Sequence, residues 1–421
     1  MNNIKNSLFI LLLPFFLFSN QSVFDWDSMT SLINSTSLTN DSNSNLIAAT
    51  SGGLLILDQD ELHVLKSNLN NLNLSITGID KKGLLWLGGA YPNGNIQVLD
   101  DNYNLIYDSS YLEIESVIDF CFSDSKVFVI YINQNDIGIL EFNYIDGIPY
   151  YIDYYNNFPD QILSISDVDL FGNYIYISTD KGIFGANFYE DNLKLSASWE
   201  KPFYGIDDSD IIFFHKNNFG TYLVTNTKLY FNQNNFSSTI LEFSQEPFDI
   251  FSDNQSTIFC NKSSCYNINE SIDLLYSIDS IYDINSFHKI NNKLFLAINN
   301  GGLLSIDLDY ALYPEHFIPN SILQNRYDAI KILENGSIAA VSETNGFIYD
   351  GEKFIFFIPD EYSNLFPIDL LSEYMNDGNN TFEILNYYRG DKIIWSIIEN
   401  EFGNIIFNNS GIKPDASNNS I

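Results

Sequence analysis

The sequence is short of positive charge: 19 Lys+Arg stand against 54 Asp+Glu in 421 residues, a formal net charge of −35. A surface this acidic repels phosphate, and neutralising phosphate supplies most nucleic-acid affinity. DNA and RNA are thereby excluded as partners, as is electrostatic adhesion to bare anionic lipid. Four His and three Cys leave little of the usual catalytic stock. No Gly-x-Ser-x-Gly, His-Glu-x-x-His or Gly-x-x-x-x-Gly-Lys pattern occurs, so no common hydrolase, zincin or P-loop signature is present. Three cysteines without paired spacing and nearby His make no zinc site. No long window carries apolar residues at helical spacing, and beyond residue 22 no run approaches 18 uncharged apolar residues. No cofactor is implied. With only 23 Gly and 11 Pro, much of the turn chemistry falls to Asn.

What is abundant is apolar and β-forming. Hydrophobic residues make up 45% and aromatics 15%, with 34 Phe and 27 Tyr, which excludes whole-chain disorder. Residues 1–22 read as a secretory signal peptide: Lys5, the apolar run Leu8 to Phe18, then Ser19 and Ser22 as cleavage positions. The protein is therefore expected to be exported to the periplasm, the outer-membrane surface or the medium. An exported location permits a disulfide, and Cys260-Asn-Lys-Ser-Ser-Cys265 has the form of a hairpin tip bridged at its base or carrying two free thiols. Cys121, within Ile118-Asp-Phe-Cys-Phe122, reads as a small buried thiol.

A repeat organises the chain. A turn residue, usually Gly, precedes a short apolar strand ending in Asp or Asn. Its anchors are Gly53, Gly94, Gly138, Gly182, Thr227, Ser264, Gly302 and Gly346, at spacings of 41, 44, 44, 45, 37, 38 and 44 residues. Each anchor follows a strand pair around a tight turn, most plainly Ile76 to Asp80, Lys81-Lys-Gly83, then Leu84 to Leu87. A unit of about 42 residues with three strands and a connector able to supply a fourth is one propeller blade. The expectation is an all-β chain: a β-propeller of seven to eight blades over residues 23–350. Residues 351–421 are expected to be a connector and an incomplete further blade, the start of a further β repeat region in a truncated chain.

With that repeat in view, two blocks resemble those of the regulator-propeller repeats of exported bacterial proteins. One has the form Asp-x-x-Gly-x-Leu-Trp, here Asp80-Lys-Lys-Gly83-Leu-Leu-Trp86; the other is Thr-x-x-Gly-Leu, here Ala49-Thr-Ser-Gly-Gly-Leu54 and Ser178-Thr-Asp-Lys-Gly-Ile183. Trp26 soon after the leader, then Ile47-Ala-Ala-Thr50, resembles the start of PorZ-like propellers of the type IX secretion system. The resemblance implies an exported, non-catalytic scaffold of the cell envelope. Its implied partners are envelope or secretion-system proteins and lipopolysaccharide. Two departures stand against it: Trp86 and Trp395 alone fill the repeat's Trp positions, and the second propeller and β-sandwich of full PorZ proteins are absent.

Candidate chemistry is sparse. His215 and His288 occupy equivalent repeat positions, Phe214-His-Lys216 and Phe287-His-Lys289, which favours a structural role; His63 and His316 complete the set. The acidic runs Asp207 to Asp210 and Asp58 to Glu61 could offer oxygen ligands to Ca²⁺, but neither has EF-hand spacing, and solvated loop acids are the simpler reading. Tyr91 and Tyr204 are loop candidates for binding; no catalytic or metal residue is assigned. Two other function classes remain open: the ectodomain of a two-component sensor, and a secreted carbohydrate-active enzyme.

Overall fold

A computed structural model of the chain describes residues 28–358 apart from short internal stretches (135, 160–161, 203–210, 218–219, 234–235, 254–255, 270, 279–281, 310–313, 334 and 343), then residue 365 and strands within 385–409. The described residues are almost entirely antiparallel sheet. Eight sheets follow one another along residues 35–357, each built from contiguous chain with its strands in sequence order. Seven have four strands. The fourth, over residues 165–187, has three, with an isolated bridge between Gly185 and Glu200 at its outer edge. All eight repeat anchors sit at or just before the start of a sheet's third strand, or within it, so the sequence period is the blade period.

The ring closes on seven of the eight. The inner strands are Ser35–Asn40, Leu74–Ile79, Ser116–Phe122, Ile165–Phe171, Ile211–Lys216, Pro247–Ser252 and Ile284–Ile290, and each packs against the next. Strand Ser35–Asn40 packs on Leu74–Ile79 at one side and on Ile284–Ile290 at the other. Apolar clusters tell the same story. Seven of them lie between successive blades, and the one joining blade 7 to blade 1 brings Phe295, Ala297 and Leu303 against Leu38, Ala48 and Leu55. Burial on both faces explains why second strands such as Leu46–Thr50 and Leu85–Gly89 are buried throughout and read as unbroken apolar runs.

The eighth sheet, residues 329–357, follows the ring rather than joining it. Its cluster of Ala340, Phe347 and Phe354 packs against Ile33, Ile322 and Leu323, in segments entering blade 1 and leaving blade 7. There, Ser321 Oγ accepts the Leu32 amide at 3.1 Å. Strand Ser396–Glu399 lies against the first two strands of this sheet. The repeat region expected over 23–350 thus divides into a seven-bladed ring and one sheet beyond it.

Because no strand is exchanged between blades, the joints depend on side chains. A β-bulge interrupts each inner strand, at Thr36, Ser75, Ile118, Ser166, Ile212, Phe248 and Asn285. The inner edge of each sheet has no neighbouring strand, so its backbone groups need other partners. At four of the seven joints the residue after the bulge accepts the amide two residues past the bulge of the next blade. Ser37 Oγ takes Thr77 N–H at 3.2 Å, Asp119 Oδ2 takes Val168 N–H at 3.3 Å, and Ser286 Oγ takes Leu38 N–H at 3.1 Å. Asp167 accepts Phe214 N–H in the same register. The bulged residue itself donates to the carbonyl before the next bulge: Thr36 to Leu74 at 3.2 Å, Ser75 to Val117 at 2.6 Å, and Asn285 to Ser35 at 3.1 Å. At the two remaining joints the contacts differ: Asn217 Nδ2 of blade 5 donates to Ser252 Oγ of blade 6 at 3.4 Å, and Lys289 of blade 7, buried, reaches Asp253 at 2.7 Å and Ser256 at 2.8 Å in blade 6.

The two blocks that carry the family resemblance are hairpin locks. Asp80 Oδ1 accepts the amides of Lys82 (2.8 Å) and Leu84 (2.9 Å), while Oδ2 accepts Trp86 Nε1–H (2.8 Å) and the Tyr144 hydroxyl (2.6 Å) from blade 3. Gly83 turns the chain at φ +82°, where a side chain would be strained. Trp86, fully buried, packs edge-on against Phe142 at 5.4 Å between ring centroids. In the second block, Thr50 and Thr179 hydroxyls each donate at 2.7 Å to the carbonyls of Gly53 and Gly182. Replacing Asp80 by Ala strands four donors around a buried site. Urea unfolding followed by Trp fluorescence is expected to show a loss of about 2–4 kcal/mol, with Asp80→Asn recovering part of it.

Candidate functional site

The seven inner strands enclose a central channel of about 670 Å³. Its wall is set by register: the positions after the bulges are Ser37, Ile76, Asp119, Asp167, Phe213, Asp249 and Ser286, and all line it. Three of these seven are carboxylates. Asp169 and His215 join them, with His215 Nδ1 at 3.5 Å from Asp169 Oδ2. Asp119, Asp167 and Asp169 are half-buried and Asp249 is the most open, but the surrounding channel wall disfavours their charged forms. Burial, then the neighbouring Asp249 and Asp169, pushes Asp119 up to about 7 against the pull of two backbone amides. Burial likewise raises Asp249 to about 6, and raises Asp167 well above the usual carboxylate range, with Asp119 and Asp169 adding to it.

Each of these acids also has a structural task. Asp119 and Asp167 bond the next blade's inner strand, and Asp249 Oδ1 accepts its neighbour Ile250 N–H at 2.7 Å. Asp169 accepts Lys216 N–H at 3.3 Å. Among the described residues, no group of three or more His, Cys, Asp or Glu is placed to hold a metal ion. These acids are not among the candidates named from the sequence. The signal was an Asp inside an apolar strand at one repeat register, as in Ile118-Asp-Phe120 and Phe248-Asp-Ile250, and only the bulge shows that the positions match.

Of the sequence candidates among the described residues, His215 lines the channel and the others fall elsewhere. His215 and His288 do occupy equivalent places, three residues past their bulges, yet their surroundings differ. His215 Nε2 is buried without a partner among the described residues, whereas His288 Nε2 lies 2.7 Å from Asn40 Oδ1 across the joint between blades 7 and 1. Burial lowers His288 to about 4, so it closes the ring as a neutral imidazole. His63 is exposed beside Glu61, and His316 sits on an outer strand. Asp58 to Glu61 form an exposed hairpin tip. Cys260 and Cys265 face each other across a hairpin and form a disulfide; Cys121 is a buried free thiol. Tyr91 is exposed on a loop of blade 2. Residues 1–22, expected to be a signal peptide, and Trp26, Tyr204, Asp207 to Asp210 and Trp395 lie outside the described residues. Among the described residues no helix is long and apolar enough to cross a membrane.

No family model matches the chain, and no curated protein matches it. Its fold is that of solved bacterial β-propellers. One is PorZ, an essential bacterial surface component of the type IX secretion system of Porphyromonas gingivalis, at 15% identity and a TM-score of 0.64 over 79% of this chain and 46% of that one. Another is the extracellular domain of BT3049, assigned to a hybrid two-component system of B. thetaiotaomicron, at 11% identity and a TM-score of 0.50 over 90% of this chain and 50% of that one. The chain spans about half the length of these solved proteins.

The channel acids fix a pH dependence. Their folded pKa values lie above the ordinary Asp value of about 3.9, so the folded state holds protons that the unfolded chain has released. Stability is therefore lost as pH rises through about 6 to 7. His288 acts oppositely, removing stability as pH falls from about 6.5 toward 4. The melting temperature is expected to rise by about 2–5 °C from pH 8 to pH 6, where ordinary carboxylates do not titrate. That rise should shrink in an Asp119→Asn/Asp249→Asn double variant, as measured by scanning calorimetry.

Proposed function

We propose that this protein is an exported, non-catalytic β-propeller of the bacterial cell envelope, with a binding and assembly role like that of PorZ in type IX secretion. The observation that carries the reading is the shared ring architecture over 79% of the chain with a bacterial surface component of that system. The apolar run of residues 8–18 supports export. The non-catalytic reading is supported by the use of the clustered titratable groups: the channel acids serve as hydrogen-bond acceptors for neighbouring backbone amides. On this reading the sheet over residues 329–357 and strands Ser396–Glu399 and Ile405–Asn409 begin a further repeat region. Envelope or secretion-system proteins and lipopolysaccharide are the partners in this proposal. Any contact with an anionic headgroup must overcome the net charge of −35, so it runs through a local patch or bridging divalent cations.

A second reading, a sensor ectodomain, draws on the likeness to BT3049, which extends over 90% of the chain. Cell fractionation with N-terminal sequencing, followed by outer-membrane capture on the immobilised mature protein, tests the first. The expected result is recovery outside the cytoplasm with the leader removed, retention of outer-membrane components, and no turnover on a polysaccharide panel. Cytoplasmic recovery with an intact N-terminus, or a turnover abolished by Asp119→Asn, would overturn it.

A further inference from the structure

Antiparallel alternation brings the connections from second to third strand, and from fourth strand to the next blade, to one face of the ring. On that face, blades 2 and 3 form a groove of about 710 Å³ from four loops of these two kinds. Residues 70–71 enter blade 2, residues 92–95 and 133–134 turn within blades 2 and 3, and residues 108–115 join them. The groove is amide-rich and contains carboxylates, with no Lys or Arg in its lining.

The groove is built rather than incidental. Gln97, fully buried beneath it, accepts the amides of Asn70 (2.6 Å) and Asn71 (3.1 Å) and donates to Asn71 O at 2.9 Å. Asn71 Nδ2 reaches Asn93 O at 2.7 Å and Asn95 Oδ1 at 2.9 Å, tying the first loop to the second. Asp108 Oδ2 receives Asn70 Nδ2–H at 3.0 Å and Asn95 Nδ2–H at 3.1 Å, tying in the third. Burial alone would raise the Asp108 carboxyl, but hydrogen bonds from Asn70, Ser110 and Asn95 outweigh it and hold it below the usual range. Beyond this frame, the side-chain amides of Asn93 and Gln134 and the carboxylate of Glu113 have no protein partner among the described residues. Two tyrosines in the same loops, Tyr91 and Tyr111, stand 68% and 61% exposed.

We infer that this groove binds a neutral saccharide chain. Amide side chains donate and accept at adjacent atoms, matching vicinal hydroxyls, and carboxylates accept from them. Loops already fixed by hydrogen bonds lose little further freedom on binding. Exposed tyrosines offer aromatic faces to the C–H faces of sugar rings while keeping a polar end in water. An anionic ligand would meet Asp108, Glu113 and Glu115 without a compensating cation. A peptide would need an apolar anchor pocket, and Pro92 and Ile114 are the lining's sole non-polar residues. The site requires nothing of the assembly role proposed above.

The test uses the full mature chain and calorimetric titration with neutral hexasaccharides (cellohexaose, maltohexaose, xylohexaose, chitohexaose) at millimolar concentration, with a heparin hexasaccharide as the anionic probe. At least one neutral probe is expected to bind and the anionic one to fail. Tyr91→Ala, Asn93→Ala and Gln134→Ala should each weaken binding by about 3–10-fold with an unchanged melting temperature. Retained binding in all three variants, binding of the anionic probe alone, or no binding by any neutral probe would overturn the proposal.

Discussion

The ring depends on what happens to the inner edge of each sheet. A sheet's first strand leaves a row of backbone N–H and C=O groups with no strand beside them, and such an edge invites pairing with another chain. Here a bulge at one register turns short polar side chains toward the neighbouring blade, where they take up those groups. Ser37, Asp119, Asp167 and Ser286 accept amides in matching positions, and Thr36, Ser75 and Asn285 donate to matching carbonyls. The polar contacts set the angle between blades, and the apolar clusters behind them supply the bulk of the burial energy. Closure uses the same device, since Ser286 and Asn285 hold blade 1 as blade 1 holds blade 2.

That device explains the channel chemistry. An acid placed for its acceptor oxygens sits beside other acids at the same register of other blades, and their proximity in poorly solvated space raises their pKa values. Perturbed carboxylates at a propeller centre would ordinarily suggest catalysis. In this ring Asp119 and Asp167 also accept backbone amides at the register where Ser37 and Ser286 do so. The net charge has the same origin in part: acids such as Asp80, Asp100 and Asp350 cap hairpin turns by accepting backbone amides.

Much of this was legible in the sequence. The eight anchors became eight third strands, and the Asp80 to Trp86 block became one hydrogen-bonded hairpin, because both are local arrangements. The number of blades in the ring was not legible. The anchor at Gly346 keeps the same spacing as those within the ring, and only the contact between residues 35–40 and 284–290, far apart in sequence, decides where the circle ends. The bulges were hidden for a similar reason, since an extra residue in a strand shows only against its partner. The saccharide groove needed four separated loops to be brought together, and in those loops only Tyr91, next to the lining residue Pro92, is named as a binding candidate from the sequence.

The central claim is that side chains beside the bulges, rather than a shared strand, close a seven-bladed ring between Ser286 and Leu38. Hydrogen exchange by mass spectrometry on the full chain, comparing wild type with Ser286→Ala, tests it most directly. Faster exchange is expected in peptides covering residues 35–40 and 284–290 together, with residues 329–332 unchanged. Unchanged exchange at 35–40, or acceleration there coupled to 329–332 instead of 284–290, would contradict it.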